Sequence, residues 1–357
     1  NKDDFLKNIF IAFLNFFCIV KTIKGRSIFL KIGIPRSLLT FYYYPMWKTF
    51  IEALGHEVVI SPPTNQDILN NGVKACVDDA CLPVKVFFGH IIYLKERVDR
   101  VLVPRLMSIS TREFICPKFC GLPEMVYYGM NRNVSMLVLN IDLHRKNSKM
   151  VDAYVQLGEK LSNNYENINI AYKKATQTQS VFDEQIQNGI FPFTAIEGAY
   201  PRKSEIARNQ QKRTIGVIGH PYLLYDRFLN MDILWKLQKR NITYLTPERI
   251  PQEKVEKEAA TLPKRMFWSL GKHLYGSALT MARDHLVDGM IYLSAFGCGI
   301  DSLMGDITER HIRRNSDIPF TSITLDEHTG EAGVNTRLDA FIDMMNWRNQ
   351  NENHIST

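Results

Sequence analysis

KIGIPRSLLTFYYYPMWKTFIEALGHEVVISPP (Lys31–Pro63) holds the pattern that decides the fold. A short β-branched run ends in a Gly/Pro turn, an aromatic segment of helical spacing follows from Phe41 to Leu54, and a second run, HEVVISP, closes the unit. TIGVIGHPYLLYDRFLNMDILWKLQKRNITYLTPE (Thr214–Glu248) repeats that order, with its helix predicted over Asp226–Arg240. The echo continues downstream. A helix predicted over Pro83–Arg97 leads through Val98-Asp99 into a strand at Arg100–Pro104. A helix predicted over Leu270–Leu286 leads through Val287-Asp288 into a strand at Gly289–Ser294. Strands alternating with helices of this length build βαβ units, so the expected fold class is α/β: two similar lobes with parallel sheets and a cleft between them.

The length of 357 residues suits two domains at roughly 150 residues each. The expected division is a leader at 1–26, an N-terminal lobe at 27–202, a C-terminal lobe at 203–348 and a polar tail at 349–357. The polar stretch YPRKSEIARNQQK (Tyr200–Lys212) is the linker candidate. Charged residues at 23% and hydrophobic ones at 45% exclude a wholly disordered chain. The balance of 44 basic against 37 acidic residues leaves +7, spread along the chain without a basic block, which argues against a nucleic-acid partner. No apolar run reaches the roughly 18 residues that cross a bilayer. The longest, Ile9–Val20, is broken by Asn15 and is followed by no small-x-small cleavage site, so no membrane association is expected.

Six cysteines stand at Cys18, Cys76, Cys81, Cys116, Cys120 and Cys298. That density is too low for a secreted disulfide scaffold, which favours a reducing, cytoplasmic setting. No C-x-x-C spacing occurs, against zinc ribbons and thioredoxin-type motifs. Cys18 lies in the apolar run, and Cys76 on a helix predicted over Ile68–Ala80; both read as buried small hydrophobes. The others sit at loops or helix starts. Cys81 (DDACLPVK) precedes Leu82-Pro83, an expected first helical turn. Cys116 (ICPKFCG) is stiffened by Pro117 and lies near the charge of Lys118. Cys298 (FGCGID) is flanked by Gly297 and Gly299, which permit close backbone approach and leave N–H groups free. Each motif alone reads equally as a buried thiol or a tight turn.

Together they place thiols from both lobes where ligands gather on parallel sheets, beyond the strand ends. Zinc needs four N/S ligands and no histidine stands out as the fourth, whereas three thiolates on an iron–sulfide cube leave one iron open. Cys120 remains a further thiolate candidate. In LDEHTGEAGV, after a strand expected at Phe320–Leu325, His328 and Glu331 are candidate acid–base residues, while Asp326 and Thr329 read as helix caps. Asp301 and Ser302 read as caps of the helix after Cys298, and Arg105 and Lys118 as contacts for an anionic group.

IGIPRSLLTFYYYPMWKTF, SPPTN, VDDACLPVKVFFGH, ICPKF, FGCGIDSL and LDEHTGEAGVNTRLDAF resemble the acyl-CoA dehydratase activase-related family, which is similar to the 2-hydroxyacyl-CoA dehydratase component family. The likeness runs from about Lys31 to Met345. It implies two Rossmann-like lobes and a [4Fe-4S] cluster on Cys81, Cys116 and Cys298, with Cys120 a departure from the pattern. Better-understood relatives dehydrate 2-hydroxyacyl-CoA esters through a ketyl radical, with the electron supplied by a separate ATP-hydrolysing iron–sulfur activase of actin-like fold. This chain has no G-x-x-x-x-G-K-[ST] loop. The implied role is therefore that of an anaerobic, cluster-bearing partner of such an activase, working in low-potential electron transfer or in dehydration of an acyl-CoA-type substrate, as a homo- or hetero-oligomer. Two other readings stand beside it: a cluster-bearing redox relay without its own substrate, and a two-lobe small-anion-binding protein with structural cysteines.

Overall fold

The computed structural model describes residues 29–192 and 213–355; the expected leader, Cys18 and the linker at Tyr200–Lys212 lie outside the described residues. The first half runs β1 (Lys31–Ile34), α1 (Thr40–Ala53), β2 (Glu57–Ile60), α2 (Gln66–Ala75), α3 (Leu82–Lys95) and β3 (Arg100–Ser108). It continues with α4 (Pro117–Cys120), α5 (Leu122–Gly129), β4 (Met136–Asp142), α6 (Met150–Gly158) and α7 (Tyr165–Gln187). The second half runs β5 (Thr214–Ile218), α8 (Pro221–Leu224), α9 (Ile233–Lys239), β6 (Thr243–Leu245), a 3-10 turn at Pro247–Arg249 and α10 (Gln252–Ala259). Then come α11 (Ser269–Arg283), β7 (Gly289–Ala295), α12 (Gly299–Asn315), β8 (Phe320–Leu325) and α13 (Glu331–Ile355).

Each half forms one four-stranded sheet, ordered β2-β1-β3-β4 and β6-β5-β7-β8, and every pairing is parallel. The two lobes are Rossmann-like, each with its switch of winding between its first and third strands. The repeated Val-Asp pair has a structural reason. Asp99 Oδ2 accepts from the Lys31 N–H and Asp288 Oδ2 from the Thr214 N–H, both at 2.7 Å, so each aspartate closes the start of its sheet's first strand. The valines fill the space left by glycines at the middle of those strands. A Cβ on Gly33 would stand 3.0 Å from Val98, and one on Gly216 3.5 Å from Val287.

The helix expected over Asp226–Arg240 forms only from Ile233. Asp226 Oδ1 takes the N–H groups of Phe228 and Leu229, Arg227 pairs with Asp232, and Met231 and Asp232 adopt φ of 53° and 58°. Local side-chain hydrogen bonds thus replace the first turns of that helix. α13 continues to Ile355, through most of the segment read as a tail. Among the described residues no helix is long and apolar enough to cross a membrane. One buried apolar cluster runs through both lobes, joining Leu38, Leu39 and Phe119 to Tyr222, Leu223 and Leu293.

A buried polar chain also crosses between the lobes. His90 lies between Ser61 Oγ (2.8 Å) and Thr64 Oγ1 (3.1 Å), and the Thr64 hydroxyl donates to Asp226. Burial, helped by the charge of Arg36, pushes His90 down to about 3. Burial pushes Asp226 up to about 6 against the pull of its Thr64 hydrogen bond. Unfolded values are about 6.5 and 3.9. Below about pH 6.5 the unfolded chain binds a proton on His90 that the folded chain refuses, so stability falls by about 1.4 kcal/mol per pH unit. Between about pH 6 and 3.9 the folded chain binds a proton on Asp226 that the unfolded chain lacks, an opposite slope of the same size that cancels the first. Asp226→Asn removes the cancelling group. Relative to wild type, the variant is expected to lose about 3 kcal/mol of urea-unfolding free energy between pH 6 and 4. A variant-minus-wild-type difference that stays level across that range would refute the assignment.

Candidate functional site

The carboxyl ends of β1, β3, β5 and β7 are the two switch points of the fold, and the loops beyond all four line one cavity. Leu38 follows β1, Cys116 and Lys118 follow β3, His220 and Tyr222 follow β5, and Cys298 follows β7; Cys81 enters from the start of α3. The cavity is small, about 20 Å³. That is room for about one water.

Each of the three cysteines is the residue that opens a helix: Cys81 for α3, Cys116 for the single turn of α4, Cys298 for α12. Cys298 Sγ accepts from the Asp301 N–H at 3.4 Å. The first-turn N–H groups lack intrahelical partners, so these positions favour negative charge on sulfur. Burial works the other way. It raises the Cys81 thiol, with Lys118 opposing, and raises that of Cys116, with the Lys118 N–H and charge opposing. Burial pushes Cys298 far up, and the Asp301 carboxylate and the other two sulfurs add to it. Buried Tyr222 feels Asp301 and all three sulfurs. The three thiols share one cavity, and burial disfavours the thiolate at each of them. This is poor preparation for a thiolate nucleophile and ordinary preparation for metal ligands, whose protons leave on binding.

Backbone contacts hold the two lobes against each other around the cavity. The Leu82 N–H donates to Phe296 O at 3.3 Å, the Phe114 N–H to Phe267 O at 2.7 Å and the Ser269 N–H to Phe114 O at 3.0 Å. Lys118 Nζ donates to Asp79 O and Gly297 O, both at 3.3 Å, tying the loops of Cys81 and Cys298 together. Gly297 needs to be glycine twice over: its φ is +76°, and a Cβ there would stand 3.2 Å from Cys81 Cα. Lys85 of the CLPVK motif and Glu327 of LDEHTG form a largely buried ion pair across the lobes. Burial alone would raise the Glu327 carboxyl, yet its hydrogen bond from Lys85 holds it below the ordinary value.

Cys81, Cys116, Cys298 and Lys118 thus share the cavity, and the other expected residues do not. Cys120 ends α4, and its carbonyl oxygen accepts from Arg105, whose guanidinium pairs with Glu124. Cys76 is core. His328 is exposed, and Glu331 forms an ion pair with Lys236 at 2.7 Å. Asp326 and Thr329 bond one another in the turn before α13. Cys298, not Asp301, opens α12; the Asp301 carboxylate reaches back to the Ala295 N–H at 3.0 Å. His220 and Tyr222 were missed by sequence reasoning. The signal for them was IGHP at the end of β5, the counterpart of IPR at the end of β1.

Among the described residues no group of three or more His, Cys, Asp or Glu stands close enough to hold a single metal ion. On an iron–sulfide cube each thiolate binds a different iron, so its sulfurs stand farther apart than the ligands of one ion. Metal–thiolate bonds of about 2.3 Å bring a bound group closer to sulfur than a water comes, yet a cube of four irons and four sulfides exceeds the room for about one water, so the fit rests on the donor set and not on the free volume. Three thiols lining one cavity and the orphaned, buried Nδ1 of His220 on its wall supply donors of the kind such a group takes.

A solved structure similar to this chain is a proposed phosphosugar isomerase from Bacillus subtilis, at 10% identity over 87% of this chain and 82% of that one, with a TM-score of 0.22; at that score it carries no argument. No curated protein matches the chain. Residues 31–250 match the family described as the CoA enzyme activase uncharacterised domain, a span that takes in Cys81, Cys116 and His220 and stops before Cys298. With more than half of its length so matched, the chain belongs to the CoA enzyme activase uncharacterised domain family.

Proposed function

We propose that the protein carries a [4Fe-4S] cluster in the cleft between its lobes and works with an ATP-dependent iron–sulfur activase of actin-like fold, in low-potential electron transfer or in dehydration of an acyl-CoA-type substrate. The observation that carries this reading is the meeting of Cys81, Cys116 and Cys298, from two helix starts in one lobe and one in the other, on a single cavity. The bound cluster supplies a one-electron carrier and, at an iron without a cysteine, a Lewis-acid position. The chain's own part is electrostatic and steric. Three helix starts and Lys118 offset the negative charge of thiolates, and apolar walls including Leu38, Phe119 and Trp268 keep water scarce, which shapes the potential. Membership of a family described by CoA enzyme activases supports a partner of that kind.

Purified without oxygen, or reconstituted with iron and sulfide, the protein is expected to be brown with about four irons per chain. ATP together with a competent activase is then expected to bleach that colour by reduction. Turnover of a 2-hydroxyacyl-CoA separates dehydration from electron transfer alone. Colourless, iron-free protein that stays folded under those conditions overturns the proposal.

A further inference from the structure

His220 stands directly beyond β5, 3% exposed, on the wall that holds the three cysteines. It opens the short α8, yet its side chain makes no cap hydrogen bond, so helix capping does not account for it. Its Nε2 lies 3.0 Å from Asp301 Oδ1. Its Nδ1 is buried and has no hydrogen-bond partner among the described residues. Asp301 is itself fixed: its Oδ2 accepts from the Ala295 N–H and its own N–H donates to Cys298 Sγ. The carboxylate faces Nε2 at ion-pair distance, but its Oδ1 has no hydrogen-bond partner among the described residues, so Asp301 orients the imidazole by charge, and Nδ1 stands without a partner on the cavity wall. A buried ring nitrogen without a partner is costly to keep, and a histidine whose far nitrogen faces a carboxylate is the usual form of a metal-ligating histidine.

We propose that His220, through Nδ1, ligates the iron that Cys81, Cys116 and Cys298 leave open, with Asp301 as its positioning residue. The proposal rests on the cluster reading above and narrows it. A cube held by four side chains has no vacant iron for a substrate in its resting state, so the protein serves as an electron carrier between the activase and a downstream acceptor. A neutral imidazole in place of a thiolate also raises the potential relative to an all-cysteine site.

The test uses wild-type protein in which only histidine carries ¹⁵N, prepared without oxygen and reduced with dithionite. Pulsed EPR is expected to show a directly coordinated nitrogen whose coupling changes with the label. His220→Ala is expected to lose that coupling and, on mild ferricyanide oxidation, to shed one iron in four and give the signal of a three-iron cluster. Wild type keeps its irons under the same treatment. His220→Cys is expected to restore iron retention without the nitrogen signal. Wild type with a full iron complement, no histidine nitrogen coupling, and iron loss as fast as His220→Ala overturns the proposal while leaving the cluster in place; a water on the open iron is then the answer. Wild type that takes up no iron removes the cluster reading and this proposal together.

Discussion

Protein carrying Cys298→Ala, prepared without oxygen, is expected to hold less than about a tenth of the wild-type iron and sulfide, with the same result for Cys81→Ala and Cys116→Ala. Cys298 is the sharpest of the three, because it is the one cavity cysteine supplied by the C-terminal lobe. Without it the remaining two thiols hold one side of a group that the fold presents to both. Cys76→Ala and Cys120→Ala are the matched controls. Cys76 packs in the core and Cys120 lies beyond the cavity wall, so both variants should keep their iron. If the cysteines were merely structural, all five variants would differ only in stability, by the roughly 1 kcal/mol that a small buried truncation costs, and none would differ in iron. Iron and acid-labile sulfide assays decide the matter, with urea unfolding as the second readout. Because binding free energy is also folding free energy, the loaded wild type should unfold at higher urea than Cys298→Ala, and a chelator should remove the difference. Equal iron in Cys298→Ala and wild type would place any cluster within one lobe and end the cleft reading.

How much of this was legible beforehand follows from what kind of information each feature needs. The alternation of strands and helices is local, since side-chain periodicity and Gly/Pro punctuation act over a few residues, and β1 to β3 and β5 to β8 lie where the pattern puts them. The repeated Val-Asp pair was visible as an echo, though its meaning, a carboxylate closing the first strand, needed the sheet register. Topology also carries the cysteines to one region, because loops after β3 and β7 must emerge at switch points. The rest is tertiary. Asp226 reads as a helical residue until its carboxylate is seen capping Phe228 and Leu229. His328 and Glu331 follow the right strand, yet the turn before α13 leaves one exposed and the other paired to Lys236. His220 carried only the echo of IGHP against IPR, which marks a turn at a strand end and not a ligand. What marks it is a nitrogen left without a partner, and that is a property of its neighbours rather than of the chain around it.

Gly89→Ala is expected to destabilise the protein by about 3 kcal/mol or more, and to lower its iron content along with its stability. α2 and α3 cross with their backbones in contact. A Cβ on Gly89 would stand 1.9 Å from Ile68 O, and one on Gly72 1.9 Å from Lys85 O, so each glycine accommodates the other helix's main chain. A carbonyl oxygen cannot rotate aside as a side chain can, and the only relief is to move the helices apart. α3 begins at Cys81 and carries Lys85, which pairs with Glu327 in the other lobe. Displacing α3 therefore moves a thiol away from the cavity and strains the cross-lobe ion pair in one step. Gly72→Ala should match Gly89→Ala, and the double variant should cost less than the sum, because one separation of the helices relieves both clashes. Gly333→Ala is the control: it lies on α13 with nothing within 4 Å of an added Cβ, so it should be neutral or gain up to about 1 kcal/mol from helix propensity. Urea unfolding and iron assays on the four variants test the argument. Gly89→Ala with wild-type stability would mean that α2 and α3 are not in backbone contact. Gly89→Ala that is destabilised yet keeps its full iron would mean that the position of α3 does not set the position of Cys81.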